Sequence, residues 1–109
     1  MPVCEERTLR FDAEALEQAI RRCEPVARRL GLPQAAYLLI SFRPECQQIV
    51  VCDLARGGSR TVIVGSKIAP LLVAYSRKLG IPLPRIATKR VTVEPRAIAF
   101  TLYLRHGAE

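Results

Sequence analysis

The sequence lacks a long hydrophobic run, a signal peptide and a low-complexity block. No apolar stretch approaches the roughly 20 residues that a helix needs to cross a bilayer. The first dozen residues, MPVCEERTLRFD, are too polar and too acidic for a signal peptide. We therefore predict a cytoplasmic protein that does not enter a membrane. Its 109 residues, half of them hydrophobic, suffice for one domain with its own core.

Common metal and catalytic motifs are also missing. Cys4, Cys23, Cys46 and Cys52 form neither a C-x-x-C motif nor the spacing of a disulfide framework. We expect them to be small apolar fillers in a reducing compartment. The one histidine, His106, is near the C-terminus, where we expect a solvated side chain rather than the base of a Cys-His pair. The sequence thus predicts no metal site and no cofactor.

Paired carboxylates for acid–base catalysis are not evident either. Asp53 interrupts an apolar strand, and we interpret it as an edge or outward residue, or as a partner of Arg56 or Arg60. Val64-Gly65-Ser66-Lys67 lacks the spaced glycines of a phosphate-binding loop, so we interpret it as a tight turn with Ser66 as a helix cap. We predict that the protein is not an enzyme. The acidic residues considered are Asp12, Glu14, Glu17, Glu24, Glu45, Asp53 and Glu94.

The hydrophobic pattern predicts an α+β fold, beginning with a strand and a helix. Residues 1–6 are expected to form a loose N-terminus, and residues 7–11 a short strand. Asp12 is placed to cap a helix that Pro25 should kink or divide. Two strands follow, at residues 37–43 and 48–54. The buried stripe of the helix is predicted to comprise Leu16, Ala19, Ile20, Cys23, Ala27 and Leu30.

The second half of the chain predicts the same order of elements. A strand near residues 60–64 leads into a helix that begins at Ser66 or nearer Ala69. Gly80 and Pro82 are expected to end it. Strands follow at residues 89–94 and 97–105. The buried stripe of this helix is predicted to comprise Ile68, Leu71, Leu72, Tyr75 and Leu79.

The two helix ends are similar, reading RRLGLP at residues 28–33 and RKLGIP at residues 77–82. Two explanations remain open. The chain is either a duplicated β-α-β-β unit, with half-repeats at residues 7–54 and 60–105, or it contains two similar helix stops. In both cases we predict a mixed sheet of five to six strands with the two helical segments on one face.

Alternation along the strands assigns one sheet face to the helices and leaves the other open. The assignment assumes two-residue turns at both Pro-containing loops, since a longer loop shifts the register. The open face is predicted to carry Leu39, Ser41, Arg43, Gln48, Val50 and Cys52 in the first half. In the second half it is predicted to carry Arg90, Thr92, Ala97, Ala99, Thr101, Tyr103 and Arg105.

Positive charge is concentrated in the second half. Residues 1–54 hold seven arginines and eight carboxylates, a balance of −1, whereas residues 55–109 hold ten cations and two carboxylates, a balance of +8. Such asymmetry is typical of proteins with an anionic partner. The basic cluster of interest comprises Arg77, Lys78, Arg85, Lys89, Arg90, Arg96 and Arg105.

Two functions follow from these patterns. The preferred one is a small non-enzymatic binding or assembly module that self-associates, because a twofold homodimer would bury the apolar part of the open face. The alternative is binding of RNA or DNA through the basic cluster, with phosphate neutralisation and salt-sensitive affinity. Aromatic residues make up only 6% of the chain, and no RNA-recognition signature is present, which favours the first function.

Overall fold

The computed structural model of the protein describes residues 3–84 and 87–106, the last without its side chain. Short 3₁₀ turns at Pro44–Cys46, Leu54–Arg56 and Gly65–Ile68 connect several of the regular elements. Those elements are, in chain order, β1 (Val3–Asp12), α1 (Ala13–Arg22), α2 (Glu24–Arg29), β2 (Leu38–Arg43), β3 (Gln48–Asp53), β4 (Ser59–Val64), α3 (Ala69–Lys78), β5 (Thr88–Val93) and β6 (Ala97–His106).

The strands form two three-stranded antiparallel sheets. The terminal sheet has the order β1-β6-β5, and the central sheet has the order β2-β3-β4. The predicted α+β class is therefore confirmed, whereas the predicted single mixed sheet is wrong. Every strand pairing in the described chain is antiparallel. The central sheet consists of three consecutive strands, whereas the terminal sheet is the β5–β6 hairpin extended by the N-terminal strand β1.

The predicted half-repeats do not fold as separate units. β1 leaves the first half to pair with β6, and β4 leaves the second half to pair with β3. Both sheets have the same order relative to their hairpins, but β1 has ten residues and β4 has six. Two helices follow β1 whereas one follows β4. The shared order alone therefore does not support an internal duplication.

The N-terminal strand is longer than predicted. It was expected to begin at Arg7, but β1 begins at Val3 and pairs along its whole length with β6, from Val3 with His106 to Asp12 with Ala97. Glu5 and Glu6 do not prevent strand formation, because charged side chains are well tolerated on an edge strand. The predicted loose N-terminus is therefore wrong for residues 3–6, and residues 1–2 lie outside the described residues.

The first helical segment follows its sequence signals. Asp12 Oδ1 accepts a hydrogen bond of 2.8 Å from the amide of Ala15, so the predicted cap is present. Pro25 lies in the first turn of α2, where its missing N–H does no harm. The helix is therefore divided rather than kinked. Along the predicted stripe every residue is buried except Leu30, which is half-buried.

The second helical segment begins at Ala69, the later of the two predicted starts, and the chain turns at Gly80 as predicted. The predicted cap at Ser66 and the predicted burial of Leu79 are wrong. Ser66 lies in a 3₁₀ turn, and α3 begins at Ala69 without a side-chain cap. Leu79 was predicted to be buried but is 48% exposed. It follows the last helical residue, and the chain then turns at Gly80, whose φ of 75° carries it away from the helix axis. The rest of the predicted stripe is buried.

The inner faces of both sheets and all three helices share one hydrophobic cluster. Phe100 and Ile98 of the terminal sheet, Ile49 of the central sheet and Leu72 of α3 are fully buried in it. Phe11 and Tyr75 pack with ring centroids 6.5 Å apart. The helices lie on the inner side of both sheets. On the outer faces, the middle-strand residues Val50, Ala99 and Thr101 are nevertheless buried, whereas flanking residues such as Leu39 and Val62 are exposed.

Gln47 connects the two sheets. It follows β2 in the left-handed conformation, with φ of 53°, and ends the 3₁₀ turn before β3. Its side-chain amide donates to the carbonyl oxygen of Val93 at 3.0 Å and accepts from the amide of Val93 at 2.7 Å. Its own carbonyl accepts from Gly65 at 2.8 Å. One glutamine thus provides β5 with the hydrogen bonds of a neighbouring strand.

Candidate interaction surfaces

The outer face of the central sheet is apolar at its centre. The strand register places Leu39 beside Cys52, Ser41 beside Val50, and Val50 beside Val62 on this face. Leu39 and Val62 are 54% and 52% exposed, and Val64 is also exposed. An antiparallel sheet commonly leaves one face to solvent, but that face is then usually polar. The exposed aliphatic side chains therefore mark this face as a candidate interface.

The predicted membership of this face is confirmed although the predicted turn is wrong. The loop from Arg43 to Gln48 contains four residues rather than two, because it includes a 3₁₀ turn and Gln47. The longer loop shifts the pairing by two positions. A shift of two preserves the face of every side chain, because side chains alternate with a period of two. Leu39, Val50 and the other predicted residues consequently stay together.

The outer face of the terminal sheet is more polar. Arg90 pairs across the sheet with Thr101, and the Thr101 and Thr8 hydroxyl oxygens are 3.1 Å apart. Tyr103 and Arg105 lie further along β6 on the same face. The β5–β6 turn has the predicted two residues, closed by the Glu94 amide bonded to the Ala97 carbonyl at 2.8 Å. The predicted second-half face is therefore confirmed.

The predicted basic cluster is distributed over different surfaces. Arg90 and Arg105 lie on the outer face of the terminal sheet, whereas Lys89 alternates to the inner side, where its Nζ donates to the carbonyl of Ala87 at 3.4 Å. The other members are elsewhere: Arg77 and Lys78 are in the last turn of α3, on the helix side of the sheets, Arg96 is in the β5–β6 turn, and Arg85 lies outside the described residues.

A groove between α2 and β4 was not anticipated from the sequence. Its volume is about 340 Å³, and it is lined by Arg29, Leu30, Val62, Ile63, Val64 and Lys67. An adjoining hollow of about 200 Å³ lies between α2 and the first turn of α3, lined by Val26, Arg29, Leu30 and Pro70. Finding the groove requires knowing that residues 26–30 pack beside residues 62–70, and no sequence signal gives that packing.

Asp53 has a structural role. It was considered as an edge or outward residue, but it is only 4% exposed. Its Oδ1 accepts hydrogen bonds from the amides of Ala55 and Arg56 at 3.0 and 3.2 Å, and its Oδ2 lies 3.9 Å from the Arg56 guanidinium. The predicted pairing with Arg56 is confirmed. The carboxylate caps the 3₁₀ turn that leads from β3 towards β4, which explains its burial.

The cysteines differ from one another in environment. All four are free; Cys23 is buried, Cys52 is half-buried, and Cys4 and Cys46 are exposed. The expectation of apolar filling therefore holds for Cys23 and is wrong for the two exposed residues. Burial raises the pKa of the Cys23 thiol, and the positive charges of Lys78 and Arg22 oppose this effect. Among the residues described, no group of three or more His, Cys, Asp or Glu side chains is placed to hold a metal ion.

Comparisons with protein-family models, curated proteins and solved structures find no match to this chain. None of the described helices has both the length and the apolar character needed to span a membrane.

Proposed function

We propose that the protein is a small non-enzymatic assembly module that forms a homodimer through the outer face of its central sheet. The observation that supports this proposal is the exposure of Leu39, Val62 and Val64 on one face. Burying aliphatic surface contributes about 25 cal/mol per Å². Two copies related by a twofold axis would each cover the same face of the other, so no second protein is required.

A charge on this face tests the proposal. Leu39→Glu would place a carboxylate on the face that the proposed dimer buries, and we expect it to raise the dissociation constant at least about tenfold. Sedimentation equilibrium over a range of protein concentrations measures this change. Leu79→Glu is the matched control, because Leu79 is similarly exposed but lies at the end of α3, on the helix side of the sheets.

The proposal fails if the unmodified protein stays monomeric at about 1 mM, where association would contribute less than about 4 kcal/mol. It also fails if Leu39→Glu and Leu79→Glu weaken the dimer equally. In that case the dimer forms through another surface.

Nucleic-acid binding is the second candidate, favoured by the placement of Arg90, Tyr103 and Arg105 on the outer face of the terminal sheet. Cations and an aromatic ring on an open sheet suit phosphate contact and base stacking. We expect Arg90→Glu/Arg105→Glu to reduce the slope of log K against log salt for single-stranded RNA binding. The reduction should correspond to the loss of about two phosphate contacts. Arg77→Glu on α3 is the control. Equal effects of the two changes, or no RNA retention at low salt, would exclude this candidate.

A further inference from the structure

We infer that the groove between α2 and β4 binds an extended acidic segment of a partner protein, which adds to the central sheet as a fourth strand. This goes beyond the proposed dimer, which uses the outer face of the same sheet; the groove lies at the β4 edge and shares Val62 and Val64 with that face.

The backbone of β4 is available for strand addition. β4 pairs with β3 along one edge over all six residues, and within the described chain no strand pairs with its other edge. An antiparallel edge strand directs the N–H and C=O groups of alternate residues outward. Natural proteins usually protect such edges with charges, prolines or bulges. The run Thr61-Val62-Ile63-Val64 contains none of these, so the edge is suited to pairing with another chain.

The walls of the groove suit apolar side chains on one side of an added strand. Leu30, which follows α2, lines the groove together with Ile63 of β4. Leu30 also lines the adjoining hollow with Val26 and Pro70. Successive residues of a strand point to opposite sides. An added strand could therefore direct alternate side chains towards the hollow and leave the others near solvent.

The charge of the groove selects the occupant. Arg29 and Lys67 line it, and none of its described lining residues is acidic. Arg29 uses its Nε to donate to the carbonyl of Pro25 at 3.3 Å, which leaves its terminal nitrogens available. Across the described part of the chain, Lys67 has no hydrogen bond or ion pair. Carboxylates on the incoming segment would complement both cations.

Two other occupants fit less well. A second copy paired through β4 would bring Arg60 and Lys67 of both molecules to one interface, where like charges repel each other. A nucleic acid would gain phosphate contacts from Arg29 and Lys67, but the groove offers aliphatic side chains rather than aromatic rings for its bases. An acidic peptide uses the backbone edge, the apolar wall and the charge together.

The test uses the full chain labelled with ¹⁵N and a capped peptide of about ten residues in which valine alternates with glutamate. We expect binding with a dissociation constant at or below about 1 mM. The amides of β4 and α2 should show the largest chemical-shift changes. The same peptide with alternate backbone nitrogens methylated should bind at least about tenfold more weakly, because it loses donors to the β4 edge.

Charge reversal gives the decisive control. Arg29→Glu/Lys67→Glu should weaken the valine–glutamate peptide at least about tenfold and create binding of a valine–lysine peptide. Arg77→Glu/Lys78→Glu, the same charge change at the end of α3, should alter binding less than about twofold. Circular dichroism checks that both variants fold.

Several outcomes would overturn the inference: no shift changes in β4, equal binding of the methylated peptide, failure of the charge-reversed pair to switch peptides, or occupation of the β4 edge by a second copy. Val62 and Val64 belong to both the groove and the proposed dimer face, so the tests use residues that belong to only one of them. Leu39 does not line the groove, and Arg29 and Lys67 are not in the central sheet. The two proposals can therefore fail separately.

Discussion

Gln47 shows how one side chain can replace a strand. The backbone N–H and C=O of Val93 face away from β6, and both are bonded to the Gln47 amide. Nothing in the sequence marks this glutamine, because its partner lies 46 residues away. Its left-handed backbone costs about 1–2 kcal/mol for a residue with a Cβ, so the hydrogen bonds must offset that cost.

Replacing Gln47 tests its role in joining the sheets. Gln47→Ala removes both bonds to Val93 and a third, of 2.8 Å, to the carbonyl of Pro44, and we expect it to lower the free energy of unfolding by about 2 kcal/mol. Urea denaturation measures this change. Gln34→Ala is the control, because Gln34 makes one side-chain bond of 3.0 Å to the carbonyl of Ile20. If both variants lower the free energy of unfolding equally, the hydrogen bonds between the sheets contribute no more than an ordinary side-chain bond.

The buried thiol of Cys23 gives the stability a pH dependence. Its pKa is raised above the usual 9.0 by burial, despite Lys78 and Arg22 nearby. The folded protein therefore holds this proton more tightly than the unfolded chain does. The resulting stabilisation is complete below about pH 9 and is lost as the pH rises towards the folded pKa.

Cys23→Ala should make the stability less dependent on pH, although it lowers stability overall by removing buried atoms. Urea midpoints at about pH 8 and pH 10 measure the difference. Cys52→Ala is the control, because Cys52 is only half-buried. A fall between the two pH values that is as steep in Cys23→Ala as in the unmodified protein would contradict the assignment.

At the scale of elements, the helices and hairpins could be predicted because their signals are local. Asp12 begins α1, Pro25 divides the helical run, and short loops join β2 to β3 and β5 to β6. The partners of β1 and β4 could not be predicted in the same way. Alternation fixes which face of a strand is apolar, but it does not say which other strand lies beside it.

The same limit applies to the candidate surfaces. The residues of the outer sheet faces were predictable because side chains alternate between the two faces of a strand. The positions of Leu39 and Arg90 therefore followed from the sequence. The groove was not predictable, because it depends on the packing of α2 beside an edge strand. The basic cluster was predicted from closeness in sequence, which does not imply closeness in space. Alternation along a strand already places Lys89 and Arg90 on opposite sides.

The 3₁₀ turn at Gly65–Ile68 packs closely against β5 at Gly65. A Cβ on Gly65 would lie 2.8 Å from Val93 Cγ2 and 3.3 Å from the carbonyl oxygen of Gln47. We expect Gly65→Ala to lower the free energy of unfolding by about 1–3 kcal/mol through overpacking. Calorimetry or urea denaturation measures this loss.

A double-mutant cycle identifies the cause of that loss. In a Val93→Ala background the nearest clash is absent, so Gly65→Ala should cost less than it does alone. Additive losses would mean that the close approach to Val93 is not responsible, and that the main-chain contact with Gln47 dominates instead.

At the scale of the whole molecule, the two sheets close loops of very different length. The central sheet joins strands that lie within residues 38–64, whereas the terminal sheet joins Asp12 to Ala97 and Val3 to His106. The entropic cost of closing a loop grows with its length, and distant pairings slow folding. We therefore expect β3 to be protected before β6 in pulse-labelled hydrogen exchange during refolding. Simultaneous protection of both strands would contradict this order.

The pairing of β1 with β6 also has a consequence for a chain leaving the ribosome. Synthesis proceeds from the N-terminus at about 5–20 residues per second, so β1 emerges seconds before its partner strand β6 has been synthesised. During that interval Leu9 and Phe11 have no finished sheet to cover them. Nascent chains of this protein should therefore be clients of ribosome-associated chaperones until β6 has been made.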